Sequence, residues 1–539
     1  MTSTTTSSHP AAGPGQGDRS TQATASVAAI LAESAARFPD DVAVIVGDRR
    51  TTYADLWRET LAYAGALRAR GVGEGDRVAM LVPNVTDFAR VYYAVLALGA
   101  VVVPVHALLK RREIEYVLQD SGATLMVCAA PLLGEGGAGA ELAGVDLLSV
   151  LAPVDAADGP DRLEALAATS EPLTTYVPRH PFDTATILYT SGTTGQPKGA
   201  EGSHFALLEQ VNTSLLTTFD MRRGDVLLGA LPLFHTFGQT CTMNTGFRAG
   251  ATIVMLPKFD GDAALAAMVE HETAIFMGVP TMYIALLDAA TRTEARPHLR
   301  YAISGGASLP LAVLERFQQV FDAPVHEGYG LTETSPVASF NHVGTAPRPG
   351  TIGTPIWGVD IEIADPEDAD HVVLLPRGEI GELVIRGHNL MNGYLNRPDA
   401  TAAAIVDGWF RTGDLGTKDD DGYLTIVDRT KDMIIRNGYN VYPRQVEEVL
   451  AAHPDVAMAA VFGVPHEVHG QEIEAAVVLR AEAAVTPQEL IDFVAAEIAA
   501  YKYPRAVHVL DALPLGPSGK VLKRELVDRF GAREVPAAG

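Results

Sequence analysis

The sequence predicts an α/β protein: a large N-terminal domain of doubly wound sheets carrying a small β-rich subdomain, then a separate small α+β domain. Three observations carry that prediction. From about Ser26, short apolar runs alternate with long amphipathic stretches of helical period, the pattern of βα units with mostly parallel strands. After Thr334 the runs shorten and are punctuated by Gly and Pro, as in more antiparallel sheets. From about Lys431 a new set of helix, strands and helix begins, at about 100 residues a domain in its own right. The expected division is therefore a disordered tail over 1–25, an N-terminal domain over 26–430 and a C-terminal domain over 431–539.

Each element follows from its own residues. SVAAILAESAARF (26–38) reads as helix and VAVIVG (42–47) as strand. The helical YADLWRETLAYAGALRA (53–69), the strand in RVAMLV (77–82), the helical FARVYYAVLALGA (88–100) and the strands VVVPV (101–105) and TLMVCAA (124–130) come next. The alternation resumes with the strand TATILYT (184–190) and the helical FALLEQVNTSLLTT (205–218). DVLLGAL, TIVML, TAIFMGV and YAIS then read as strands, with TMYIALLDAA and LAVLERFQQVF as helices among and after them. TIGTPIWGVDIEI, GEIGELVIRG and GYLTIVD supply the β-rich subdomain. The last domain has the helices PRQVEEVLAAH and PQELIDFVAAEIAAY around the strands VAMAAVFGV and IEAAVVL.

Bulk composition narrows the function. The 539 residues are 47% hydrophobic and 20% charged, an ordinary globular balance, so a sizeable core is expected. A net charge of −25 leaves no basic surplus for a nucleic-acid partner. A local loop can still hold a nucleotide, whatever the global sign. With two cysteines, Cys128 and Cys241, both in apolar runs, no disulfide framework is expected and a reducing cytoplasm fits. The first 25 residues are rich in Ser, Thr, Gly and Pro and lack the apolar core of a signal peptide. No run of about 18 apolar residues predicts a membrane span.

Six segments carry the chemistry. YTSGTTGQPKG (189–199) packs three glycines, four hydroxyls (Thr190, Ser191, Thr193, Thr194) and Lys198 into eleven residues. Glycines such as Gly192 and Gly195 free backbone N–H groups to converge on an anion, and the hydroxyls and lysine suit a polyphosphate. It is not a Walker A loop, since Gly199 follows the lysine where that pattern needs Ser or Thr. ISGGASLP (303–310) brings a glycine pair to a strand end, where a flat ligand can approach the backbone. GYGLTE (328–333) offers an aromatic face at Tyr329, a hydroxyl at Thr332 and, at Glu333, a carboxylate suited to Mg²⁺ beside phosphates. GWFRTGD (408–414) sets Asp414 after a tight turn, apt for ribose hydroxyls. VDRTKDMIIRNGYNVYP (427–443) is dense in charge at the domain boundary, and LPLGPSGK (513–520) puts Lys520 on a glycine-containing loop. Two further stretches read as bland: Gly134 to Gly139, which formally matches a dinucleotide fingerprint, as a flexible surface loop, and KDDDG (418–422) as a solvated turn.

Taken singly these are weak; in this order and spacing the set resembles the adenylate-forming superfamily of acyl- and aryl-CoA synthetases, adenylation domains and beetle luciferases. The likeness runs from about Ser26 to Glu534, and its C-terminal motifs look most like bacterial fatty-acyl-CoA synthetases. The resemblance implies ATP-dependent activation of a carboxylic acid as an acyl-adenylate, then transfer to CoA, with Mg²⁺ as cofactor. It implies that Thr190 to Lys198 wrap the β- and γ-phosphates. Gly305, Gly306, Ala307, Glu327 and Tyr329, beside Gly328, would form the adenine slot. Thr332 would touch the α-phosphate, Glu333 would hold Mg²⁺, and Asp414 with Arg429 would bind ribose. His235, in LPLFHTFG, would lie beside the acyl pocket, and Lys520 would bridge the acid and the α-phosphate. The small domain would rotate about Lys431, exchanging Lys520 for the segment around Gly438. Aryl-acid ligation and loading of a separate carrier protein are the alternatives, a non-catalytic nucleotide scaffold is the reading from another class, and homodimers are common in the family.

Overall fold

Four sheets organise the computed structural model, which describes residues 23–153, 159–190, 196–480, 483–516 and 519–531. The largest has nine strands, and its middle six are parallel: Val325–Gly330, Tyr301–Ser304, Ile275–Gly278, Val226–Gly229, Thr252–Met255 and Val42–Val46. Antiparallel strands close both edges, with Arg49–Thr52 beside Val42–Val46 and Val337–Phe340 beside Val325–Gly330. A six-stranded sheet is parallel except for its edge strand Lys198–Ser203, which runs antiparallel to Thr184–Thr190. This is the expected doubly wound arrangement. Central strands such as Ile275–Gly278 and Leu125–Ala129 are buried along their whole length, which is why they read as unbroken apolar runs.

The texture change after Thr334 corresponds to a five-stranded antiparallel sheet that includes Val359–Ala364, Gly381–Gly387 and Trp409–Lys418. The fourth sheet pairs Val456–His466 with Gly470–Leu479 and carries Ile434–Arg436 and Tyr439–Val441 at one edge. Helices Pro443–Ala452 and Pro487–Glu497 cover it, burying Val446, Leu450, Leu490 and Val494 in a separate apolar cluster. A core independent of the large domain is what a mobile unit needs. No helix among the described residues is long and apolar enough to cross a membrane.

Three expectations need correction. Residues 134–139 are no flexible loop: they lie within a helix, Leu133–Ala143. Gly136 and Gly139 are there because the helix lies against its neighbours, with a Cβ on Gly136 only 2.7 Å from Cys128 Sγ and one on Gly139 2.6 Å from Ile114. The fingerprint match thus reflects helix packing. In KDDDG the turn is solvated as expected, but Lys418 is buried, its Nζ 2.7 Å from Glu362. Residues 1–22 lie outside the described residues, yet Ala25, counted in the tail, already pairs with Arg179.

Candidate active site

A cavity of about 1120 Å³ opens where the two large sheets, the β-rich subdomain and the small domain meet. Thr190 and Lys198 stand at its edge as register partners across an antiparallel pair, so the glycine-rich run is the connection of a β-hairpin. Ser191, Gly192, Thr193, Thr194 and Gly195 lie outside the described residues. The hairpin's flanks are braced from the helix Arg111–Ser121: Tyr116 Oη donates to the Pro197 carbonyl at 2.8 Å, and Tyr189 Oη donates to Asp120 at 2.8 Å. Nothing in the local sequence pairs Tyr189 with Asp120, 69 positions away.

Two parallel strands end at the cavity and deliver the next groups. Tyr301–Ser304 leads into Gly305 and Gly306, both lining the cavity. Gly306 has φ +81°, and a Cβ on Gly305 would lie 3.2 Å from the Phe237 ring, so larger side chains would strain or fill this wall. Val325–Gly330 supplies Gly328 and Tyr329, and Thr332 and Glu333 follow in a short 3₁₀ turn. Tyr329 Oη donates to Asp414 at 2.5 Å, and Arg429 Nε approaches the other Asp414 oxygen at 2.9 Å. Asp414 and Arg429 are themselves register partners on adjacent strands. Beside Asp414 the Arg429 guanidinium holds its proton more tightly than usual, while burial and the Asp414 charge keep the Tyr329 phenol protonated.

Lys520 reaches the cavity from the small domain and is half-buried. Loss of water, then the Arg429 charge, lowers its pKa to about 8 against the opposing pull of Asp414 and Glu333. His235 also lines the cavity, and the Phe237 N–H donates to its Nδ1 at 3.2 Å, which assigns the proton of the neutral ring to Nε2. Burial, then the Lys520 and His106 charges, lowers its pKa to about 4, so the ring is neutral at physiological pH.

Four expected residues stand outside the cavity lining: Asp414, buried against Tyr329 and Arg429, and three more. Ala307 is exposed and outside the lining. Glu327 is buried, its side chain set toward Leu309, Gly350 and Arg444 rather than into the slot, because successive strand residues face opposite ways. Burial pushes its pKa up to about 7, with Arg444 pulling the other way. Gly438 is exposed at the Asn437–Gly438 turn, with φ of 52° and 77°, between Ile434–Arg436 and Tyr439–Val441. Lys431, by contrast, lines the cavity; burial, then Lys198 and Arg429, lowers its pKa.

Two groups outside the expectations complete the site. Tyr394 lines the cavity, its Oη donating to Glu333 Oε1 at 2.8 Å. Arg411 and Glu382 form an ion pair at 2.6 Å in the cavity wall. Glu333 is buried, and no salt bridge neutralises it among the described residues, so a hard cation fits its oxygens. The buried free thiols Cys128 and Cys241 take no part; burial pushes the first up to about 12 and the second higher still. His466, His469 and Glu472 cluster on the small domain, but Arg436 holds the Glu472 carboxylate and the two imidazoles stack at 4.5 Å.

Comparison with known proteins agrees with this geometry. Residues 31–395 match the AMP-binding enzyme family, and residues 445–520 match the AMP-binding enzyme C-terminal domain. A long-chain-fatty-acid–CoA ligase of Bacillus subtilis is 34% identical over 93% of both chains. A feruloyl-CoA synthase of Amycolatopsis is 37% identical over 92% of this chain and 96% of its own. The ATP-bound structure of MatB from Rhodopseudomonas palustris, 32% identical, superposes with a TM-score of 0.84 over 94% of this chain and 99% of its own. On family match, fold and the grouping of Lys198, Glu333, Arg429 and Lys520 alike, the chain belongs to the AMP-binding, adenylate-forming enzyme family.

Proposed function

We propose that this chain is an ATP-dependent acid:CoA ligase that activates a medium- or long-chain fatty acid as its acyl-adenylate and then transfers the acyl group to CoA. One observation carries the reading: Lys520 of the small domain shares a cavity with Lys198, Thr332, Glu333 and Arg429 of the large one.

In the first step a carboxylate oxygen attacks the α-phosphorus of ATP and pyrophosphate leaves. Both reactants are anions, so the residues must bring them together and neutralise charge; no protein nucleophile is required. Asp414, held by Tyr329 and Arg429, accepts from the ribose hydroxyls. The slot at Gly305 and Gly306 takes the adenine, Lys198 takes the outer phosphates, and Thr332 donates to the α-phosphate. Glu333 would hold Mg²⁺, which when bound supplies positive charge against the phosphates. Protonated Lys520 lies between the acid and the α-phosphate. The adenylate is a mixed anhydride that water would destroy, which favours a closed cavity. In the second step the small domain turns about Lys431, Lys520 leaves, and the Gly438 turn faces the adenylate. Having no side chain, Gly438 leaves room for the pantetheine arm, whose thiolate displaces AMP.

The fatty-acid reading is supported by the apolar part of the wall, which includes Val105, Phe219, Ile303, Val337 and Phe340, and by the Bacillus subtilis relative. An aryl acid is the second reading, favoured by the aromatic share of that wall, where the Phe219 and Phe340 rings meet at 5.1 Å, and by the feruloyl relative. AMP and thioester production with ATP, Mg²⁺ and CoA, over acids from acetate to oleate plus benzoate and coumarate, separates them. Thioester rising with alkyl length is the expected result. Preference for coumarate would assign the aryl class, and pyrophosphate exchange without thioester would assign a carrier-protein acceptor.

A further inference from the structure

Between the strand Gly381–Gly387 and the helix Pro398–Ala404, residues 391–395 form a strap that contributes Tyr394 to the cavity wall. Its first residue is tied to the acidic group of the site: the Met391 N–H donates to the Glu333 carbonyl at 2.9 Å. The rest is tied to the strand that begins with Lys198. Asn392 N–H donates to the Glu201 carbonyl at 2.8 Å, Glu201 N–H to the Gly393 carbonyl at 3.0 Å, and Leu395 N–H to the Gly199 carbonyl at 2.8 Å. Met391 is buried in a small apolar cluster with Ala200 and Phe410, against which Tyr394 packs. The Tyr394 N–H donates to Thr401 Oγ1 at 2.9 Å, which fixes the backbone from the helix side. A segment so thoroughly hydrogen-bonded sets the side chain it carries.

That side chain makes two contacts with the site. The hydroxyl of Tyr394 donates to Glu333 Oε1 at 2.8 Å, and its ring lies under the Lys198 ammonium, 4.9 Å from the centroid. A tyrosine phenol is ordinarily protonated at working pH, so the hydroxyl serves as a donor to the carboxylate. Glu333 has a second oxygen left for a ligand. An ammonium over a tyrosine face is attracted to it and loses freedom to wander.

From this we propose that Tyr394 is a positioning residue for ATP activation: its hydroxyl orients Glu333 toward a divalent cation, and its ring independently aims Lys198 at the phosphates. The proposal rests on the adenylation reading above. A donor fixed behind a ligating carboxylate is known to be worth about 10- to 100-fold in metal affinity. Tyr394→Phe removes the hydroxyl and keeps the ring, whereas Tyr394→Leu removes both, so the two contacts can be separated.

The test is binding of Mn²⁺, followed by electron paramagnetic resonance, to the full chain saturated with α,β-methylene-ATP. Binding of that analogue without metal is measured in parallel. Tyr394→Phe is expected to weaken Mn²⁺ about 10- to 100-fold while changing metal-free analogue binding less than about threefold. Tyr394→Leu is expected to weaken metal-free analogue binding as well. A Glu333→Gln background supplies the cycle: there Tyr394→Phe should have no further effect on Mn²⁺, since the residue through which it acts is gone. Unchanged Mn²⁺ affinity in a folded Tyr394→Phe variant overturns the proposal, and so does an equal loss in the Glu333→Gln background. A wild-type chain that binds no analogue at all would instead sink the adenylation reading.

Discussion

Lys520 and Gly438 sit on the same small domain and were both expected at the site, yet their surroundings could hardly differ. Lys520 is half-buried in the cavity with its pKa lowered to about 8, while Gly438 is exposed at the tip of a hairpin and touches nothing a Cβ would meet. A single arrangement of the domain satisfies only one of them. The cavity has the groups that the proposed adenylate formation needs, and on the proposed rotation Gly438 would reach it only after the domain turns.

The largest expected effect comes from removing the residue that is inside. Lys520→Ala should lower acyl-adenylate formation by about 10²–10³, the usual loss when one charge-stabilising group is taken from a transition state. Thioester formation from supplied acyl-adenylate should be spared, because Lys520 has left by then. Pyrophosphate exchange measures the first half and AMP release from supplied adenylate the second. Equal loss of both would mean that Lys520 serves the whole cycle and would collapse the comparison. Loss of activity in this variant with ATP binding retained would exclude a nucleotide-binding scaffold, which has no activity to lose.

Lys431→Pro should do the reverse. Fixing φ at the boundary residue should obstruct the proposed turn. Thioester formation is expected to fall about tenfold or more and pyrophosphate exchange to fall much less. The exposed Lys431 ammonium also lines the cavity, so Lys431→Met is the control that removes charge without the ring constraint. Full thioester formation by Lys431→Pro would refute the hinge.

A pH profile gives a graded version of the Lys520 test. Only the ammonium form neutralises the meeting anions, and with a pKa of about 8 that form is lost as pH rises. Adenylation should fall by about tenfold per pH unit well above pH 8, each unit of pKa displacement being a tenfold change in the charged fraction. Thioesterification of supplied adenylate should show no such fall, since its thiol nucleophile gains thiolate with pH. Parallel falling limbs for both halves would remove the asymmetry between Lys520 and Gly438.

How much of this was legible beforehand follows the range of the interactions. Glycine runs, strand alternation and helix periodicity are local, and they point to the glycine-rich run after the strand Thr184–Thr190, the strand ends at 305 and 328, and many of the helices, though not Arg111–Ser121, Gly261–Glu270 or Lys523–Phe530. Helix Leu133–Ala143 escapes a local reading because its four glycines usually mark a turn, and only the long-range contacts of Gly136 with Cys128 and Gly139 with Ile114 explain those two. Tyr394 escaped notice because its partners, Glu333 and Lys198, are 61 and 196 positions away and no local pattern announces such a contact. Glu327 was assigned to the adenine slot by its place in EGYGLTE, but strand alternation turns it to the opposite face from Gly328. The motif carried the neighbourhood, and the pleat decided the direction.

Glu327 also supplies the smallest effect. It is buried on the large domain, and the nearest cation acting on it is Arg444, in the small-domain helix that follows the Gly438 hairpin. Its folded-state pKa is raised to about 7 from an ordinary 4.5, chiefly by burial. Between those values the folded protein keeps a proton that the unfolded chain has released, so stability falls as pH rises from about 4.5 to about 7 and stays lower above it. Glu327→Gln cannot ionise and should lose that slope. Its stability relative to wild type should therefore improve on going from pH 5 to pH 8, by on the order of 2 kcal/mol, read as a shift in Tm. Ionised Glu327 would also attract Arg444 and favour the arrangement with Lys520 inside, so the substitution should ease the turn toward Gly438 at pH 8. A modest rise in thioester formation relative to adenylation, present at pH 8 and absent at pH 5.5, is the expected sign. A Tm difference that does not change with pH would show that Glu327 is ionised in the folded chain throughout, and the two small-domain elements would then be weighted by contacts other than this one.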